Sequence, residues 1–220
     1  MKKVIAILLL VAVALNVAAT DQLRIEDFNI HPGETMLVVL FLDNEHQFTA
    51  FQTDLILPEG LTVVQEDDEY LFELSGRKAS DHIIISKLRD DGAIRMVSFS
   101  IGVKPYRGNS GALVIIPLTA AEDFTGPAMI ELKHSICTTV DGLEYRLESE
   151  SCYVQLLEQM LLGDVNGDGL VDIGDVTSLI SYVLNGCTRS FHILNSHMND
   201  DGILDIADVT LLINHILHVN

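Results

Sequence analysis

The chain is 220 residues long and carries 13 Lys+Arg against 32 Asp+Glu, a formal charge of −19. An acid excess of this size excludes nucleic acid and anionic membrane surfaces as partners and favours cations. Tryptophan is absent, which removes the aromatic face that most often stacks on sugars, and the three cysteines are too few for a disulfide scaffold.

Residues 1–19 read MKKVIAILLLVAVALNVAA. Two lysines lead an apolar run that ends in small residues, the layout of a secretory signal peptide cut after Ala19. The run is too short and wrongly flanked for a membrane anchor, and no later stretch is apolar enough to span a bilayer. The expected product is secreted, extracellular or periplasmic. Without Lys2 and Lys3 it keeps 11 basic against 32 acidic residues, a charge of −21.

Residues 20–156 read as β-structure. TMLVVLFLDN is an apolar run closed by Asp43-Asn44. AFQTDLIL alternates, with Phe51, Thr53, Leu55 and Leu57 on one side and Gln52 and Asp54 on the other. LTVV restarts after the turn at Pro58-Glu59-Gly60. HIIISKL and IRMVSFSI flank Arg89-Asp90-Asp91-Gly92, a hairpin signal. GALVIIPL, AMIELKHSICTTV and SCYVQLL complete the series. DEYLFEL, around Tyr70, reads as a helical turn or a loop. Many short strands with turns between them predict an antiparallel jelly roll or β-sandwich. The cysteines leave two readings open: a Cys137–Cys152 bridge across neighbouring strands with Cys187 left over, or buried free thiols.

The period changes after Leu162. Val176, Leu179, Ile180, Val183 and Leu184 fall at helical spacing, as do Val209, Leu212, Ile213, Ile216 and Leu217. These helices end two units offset by 33 residues, as the step from Asp164 to His197 shows. The units span 164–186 and 197–219 of a tail at 163–220. One such helix cannot bury its stripe alone, whereas two related copies can pack together.

Each helix follows an acidic loop. In DVNGDGLVDIGD (164–175), Asp164, Asn166, Asp168, Asp172 and Asp175 stand at positions one, three, five, nine and twelve, with Gly169 at six and the Leu170 carbonyl at seven. This is the spacing of a Ca²⁺ loop: alternate residues of a tight turn point inward, and the large hard cation tolerates an irregular oxygen cage. HMNDDGILDIAD (197–208) repeats it with Asn199, Asp201, Asp205, Asp208 and the Ile203 carbonyl, but His197 replaces the first acid. Imidazole suits transition metals better than Ca²⁺. The second loop is therefore expected to hold Ca²⁺ more weakly, with His197 a spectator. Eight acids in the two loops repel one another, so folding of the tail is expected to depend on Ca²⁺.

The tandem loop–helix units, each without a leading helix, resemble type I dockerin repeats. The resemblance implies calcium binding and a protein partner of the cohesin type, in trans or within the same chain. It places partner recognition at the two positions before the final loop acid, here Ile173, Gly174, Ile206 and Ala207. Those positions are often Ser-Thr in the family, so a more apolar partner surface is implied. AFQTDLILPEGLTVV and GNSGALVIIPLTA resemble cohesin strands, which implies a cohesin-like sandwich at 20–156.

No catalytic residues or organic cofactor are expected. The chain has no G-x-S-x-G, H-E-x-x-H or C-x-x-C motif, and His31, His46, His82 and His134 lack ligand spacing. The acids Glu66, Asp67, Asp68 and Glu69 read as a solvated loop. The expected function is a secreted, non-catalytic calcium-binding assembly module tied to extracellular polysaccharide degradation. The alternative is a carbohydrate-binding sandwich tethered through the tail, with polysaccharide as the further partner.

Overall fold

Strands fill the chain from Gln22 to Leu156 in the computed structural model, which describes residues 21–148, 150–157, 161–199 and 201–218. The expected signal peptide, residues 1–19, lies outside these. In chain order the strands are β1 (Gln22–Ile25), β2 (Phe28–Ile30), β3 (Thr35–Asp43), β4 (Phe48–Ile56), β5 (Leu61–Val63), β6 (Gln65–Glu66) and β7 (Glu69–Tyr70). They continue with β8 (Glu73–Leu74), β9 (His82–Leu88), β10 (Ile94–Ser100), β11 (Ala112–Ala120), β12 (Ala128–Thr139), β13 (Glu144–Arg146) and β14 (Glu150–Leu156). Three helices follow: α1 (Ile173–Asn185), α2 (Ile193–Ser196) and α3 (Ile206–His218).

One sheet has the order β1-β3-β11-β5, with β8 also on β11; the other runs β2-β14-β12-β4-β10-β9, with β13 on β12. All these pairings are antiparallel except β14 with β2. The inner faces supply one core, including Met36, Val38, Leu40 and Leu42 of β3, Phe51 and Leu55 of β4, and Ile116 and Leu118 of β11. Strand alternation sends the intervening residues outward.

On the second sheet that outward face is open and mixed. Register places Lys87, Arg95, Asp54 and Lys133 side by side in one row, and Ile85, Val97, Gln52 and Ile136 in another. Asp54 is buried beneath two bonds from Arg95, 2.6 and 2.7 Å, and one of 2.9 Å to His134 Nδ1.

One expectation requires correction, and one open alternative is resolved. DEYLFEL forms neither a helical turn nor an open loop. Its start closes the β6–β7 hairpin, with Asp67 and Asp68 at φ 49° and 66° as a two-residue turn demands, and its end is β8. Cys137 and Cys152 are not bridged. The β12–β14 register sets Cys152 against Ile130, seven residues from Cys137, or about 23 Å along the strand. All three cysteines are buried free thiols, pushed up to about 12 by burial.

The outward face of the first sheet is covered by the tail. Leu37, Val39 and Phe41 of β3 and Ile115 of β11 join Val165, Val176, Leu179, Cys187, Phe191, Val209 and Leu212 in a second core. Leu37 and Phe191 exchange backbone hydrogen bonds of 3.1 and 3.0 Å. Beside them Glu34 accepts a 2.7 Å bond from His192 Nδ1, with 0% and 1% of the side chains exposed. The same carboxylate accepts the His31 N–H at 2.9 Å. Asn29 Nδ2 donates to the Gly167 carbonyl at 2.7 Å.

Burial alone would push the Glu34 carboxyl up. The hydrogen bond and charge of His192, with the bond from His31 N–H, outweigh it and hold the group below the usual carboxylate range. A depressed carboxyl stabilises the fold above the unfolded value of about 4.3, and that contribution is lost as pH falls through the depressed value. Removing one partner of a buried pair costs about 3–5 kcal/mol. Glu34→Ala should lose stability of this order in urea unfolding at pH 7, and the gap to wild type should narrow below about pH 4. A constant gap across that range would show that the pair is not the acid-sensitive element.

The tail contact also fixes one glycine. Gly167 has φ +73° and a Cβ there would run into the His192 imidazole, whereas Gly169, at φ +84°, has open space around it. Gly169→Ala therefore meets only backbone strain, about 1 kcal/mol, while Gly167→Ala adds overpacking of about 1–3 kcal/mol. Thermal unfolding of the two variants should rank them in that order.

Candidate calcium and partner-binding site

The first loop is wound by its own acids. Asp164 Oδ1 accepts from Gly167 N and Asp168 N at 2.8 and 3.1 Å, and Oδ2 from Gly169 N at 2.9 Å. Asp175 Oδ1 accepts from Val165 N and Asn166 N at 2.8 and 3.1 Å, and Oδ2 from Asp172 N at 2.9 Å. Asp172 caps α1 through Gly174 N at 2.6 Å and completes a capping box with Asp175. Asn166 and Asp168 are exposed at the loop tip and bonded to each other at 3.0 Å.

The second loop repeats the frame with one gap. Asp208 Oδ1 accepts from Met198 N at 2.9 Å and Oδ2 from Asp205 N at 3.1 Å, as Asp175 does in the first loop. Asp205 accepts from Ala207 N at 2.7 Å, and Asn199 is bonded to Asp201 at 2.8 Å. Among the described residues the organising role of Asp164 has no equivalent. His197 caps the end of α2, and its Nδ1 is buried without a hydrogen-bond partner. Asp200 lies outside the described residues.

Asp164, Asp175 and Asp208 are 1%, 0% and 0% exposed. Among the described residues none of them is ion-paired, and Arg189 is the single Lys or Arg between residues 161 and 220. Burial, followed by smaller contributions that include the charge of Asp164, pushes the Asp175 carboxyl up despite its three N–H bonds. Buried like charges without a counter-charge are costly. Among the described residues no three His, Cys, Asp or Glu side chains converge as a closed cage. The donor set, hard oxygens on a tight loop beside uncompensated buried acids, nevertheless fits a hard divalent cation.

The helices divide their apolar residues differently from the expected stripe. Val176, Leu179, Val209 and Leu212 are buried between α1, α3 and the sandwich. Ile180, Leu184, Ile213 and Leu217 are instead exposed, in line with Ile173 and Ile206. Exposures of 72, 37 and 74% at Ile173, Ile180 and Leu184 recur as 66, 38 and 67% at Ile206, Ile213 and Leu217, each 33 residues later. Spacings of seven and four put each trio on one helix face. Gly174 and Ala207 stand beside the first member of each trio. Sequence reading assigned four of these six residues to packing; their outward use shows only when the buried face is known.

Residues 162–217 match the dockerin type I domain model. None of the curated proteins matches the sequence. The sandwich is similar to a cohesin module of a family 33 glycoside hydrolase from Clostridium perfringens, with a TM-score of 0.50 and 16% identity over 64% of this chain and 98% of that one. It is similar to the same degree to a non-cellulosomal cohesin from the archaeon Archaeoglobus fulgidus, with a TM-score of 0.50 and 11% identity over 64% and 94%. Among the described residues no helix is long and apolar enough to cross a membrane. The chain thus carries a type I dockerin domain at residues 162–217 behind a sandwich with the cohesin fold.

Proposed function

We propose that this protein is a secreted, non-catalytic assembly module that binds calcium through its tail and a cohesin-type domain through α1 and α3, in the service of extracellular polysaccharide degradation. Dockerin and cohesin domains are assembly modules rather than catalysts, and type I dockerins bind calcium. The observation that carries the reading is the paired ridge Ile173/Ile180/Leu184 and Ile206/Ile213/Leu217, exposed to within a few per cent alike in both repeats. Exposed apolar rows of this kind mark protein-binding surfaces.

In the first loop Asp164, Asn166, Asp168, Asp172, Asp175 and the Leu170 carbonyl would hold Ca²⁺. In the second, Asn199, Asp201, Asp205, Asp208 and the Ile203 carbonyl would hold it more weakly, because His197 replaces a carboxylate. The ion supplies the positive charge that the buried acids lack. The residues themselves wind the loops and set the N-termini of α1 and α3.

A metal-counted calcium titration of the full chain should find one tight and one weaker site. Asp164→Asn should weaken the tight one, and His197→Asp should strengthen the weaker one by about tenfold or more. Binding of a cohesin-type domain should be lost in chelator and weakened in the double variant Ile173→Asp/Ile206→Asp. Calcium uptake that ignores both loop substitutions, or capture indifferent to chelator, would sink the reading.

A further inference from the structure

We infer that the segment between the repeats, residues 186–196, is a second interaction surface, which docks the tail on its own sandwich and leaves the α1/α3 ridge free. The tail touches the sandwich mainly through this segment and the start of the first loop. Phe191 is 3% exposed, stacks on Tyr182 at 4.5 Å and 11°, and pairs backbone to backbone with Leu37. His192 reaches Glu34, and Asn195 turns its side chain inward to donate through Nδ2 to the Asp164 carbonyl at 2.8 Å, while its backbone carbonyl accepts from Gly163 N at 2.8 Å. One short segment therefore holds both the sandwich and the first loop.

The partner's chemistry is complementary. Leu37, Val39, Phe41 and Ile115 offer a flat apolar strip, and Glu34 ends it with a buried carboxylate that takes the imidazole. Apolar contact with one aromatic anchor and one desolvated polar pair is how stable interfaces concentrate their energy. None of the six ridge residues belongs to this contact. Gly167 fits the mode as well: only the first repeat has glycine at the fourth loop position, where His192 lies, and the second has Asp200.

The dock itself does not depend on the assembly reading; simultaneous use of the ridge by an outside cohesin-type domain does. The test uses the full chain in calcium with a protease recognition sequence placed at residues 158–160. After cleavage, sandwich and tail should still co-elute at micromolar concentration. Phe191→Ala should raise their dissociation constant by at least about 30-fold, with helical circular dichroism confirming that the tail stays folded. Ile173→Asp/Ile206→Asp should leave them together. Separation of the cleaved wild-type pieces would overturn the inference, whatever any variant does. Adding a cohesin-type domain to the cleaved protein should give a ternary complex. Displacement of the sandwich would show that the two surfaces overlap, whereas failure to bind at all would count against the assembly reading and not against the dock.

Discussion

A sheet that is apolar on both faces must be covered on both, and the architecture follows from that constraint at β3. Met36, Val38, Leu40 and Leu42 face the sandwich interior, while Leu37, Val39 and Phe41 face the other way. Left in water, the outer strip would be an adhesive patch beside strand edges. The tail covers it, and in return the tail gains sandwich residues for a core it could not complete alone. A helix pair built around Val176, Leu179, Val209 and Leu212 is small for independent stability. Sheet face and tail each supply the apolar surface the other lacks.

The acidic loops obey a related electrostatic constraint. Asp164 and Asp175 sit in the interior because their oxygens organise six backbone N–H contacts between them, which a tight glycine-containing loop cannot satisfy internally. Dipoles can satisfy a carboxylate's hydrogen bonds without neutralising its charge. In the second loop the histidine removes one buried charge and the bonds that went with it. That loop is less costly without a cation and less well prepared for one. Two copies of one motif thus differ at their first position: one loop is wound around a buried acid, and the other has a histidine there.

The parts legible in the sequence were those encoded by local spacing. Loop ligands within twelve residues, the 33-residue repeat and the alternation in AFQTDLIL all depend on neighbours along the chain. The two-faced burial of β3 was visible in TMLVVLFLDN, because an unbroken apolar run is what a strand covered on both sides looks like. Its meaning needed a partner more than a hundred residues away. Glu34 and His192, 158 positions apart, gave no local signal at all. DEYLFEL misled because its apolar residues fit a helical turn, while its first residue, Asp68, took with Asp67 the left-handed conformation of a hairpin turn. For the cysteines the adjacency of strands was legible and the register was not, which left the bridge open beside the buried free thiols that the structure has.

The helices show why a stripe read from sequence overstates a core. A helix in a two-helix unit on a flat sheet has one buried arc, and residues at positions 176 and 179 or 209 and 212 already fill it. Ile180, Leu184, Ile213 and Leu217 lie just off that arc. Packing gives no reason for them to be apolar, and their exposure to water gives a reason for them not to be. Their exposure recurs residue for residue across the pseudo-repeat, so it reflects a property of the repeated unit and not an accident of one helix. Apolar residues that packing does not require and that water disfavours are what the proposed partner surface would use. The two faces of the tail therefore differ in what covers them: the inter-repeat side packs on the sandwich it is joined to, and the helical ridge stands open, as the proposed assembly role requires.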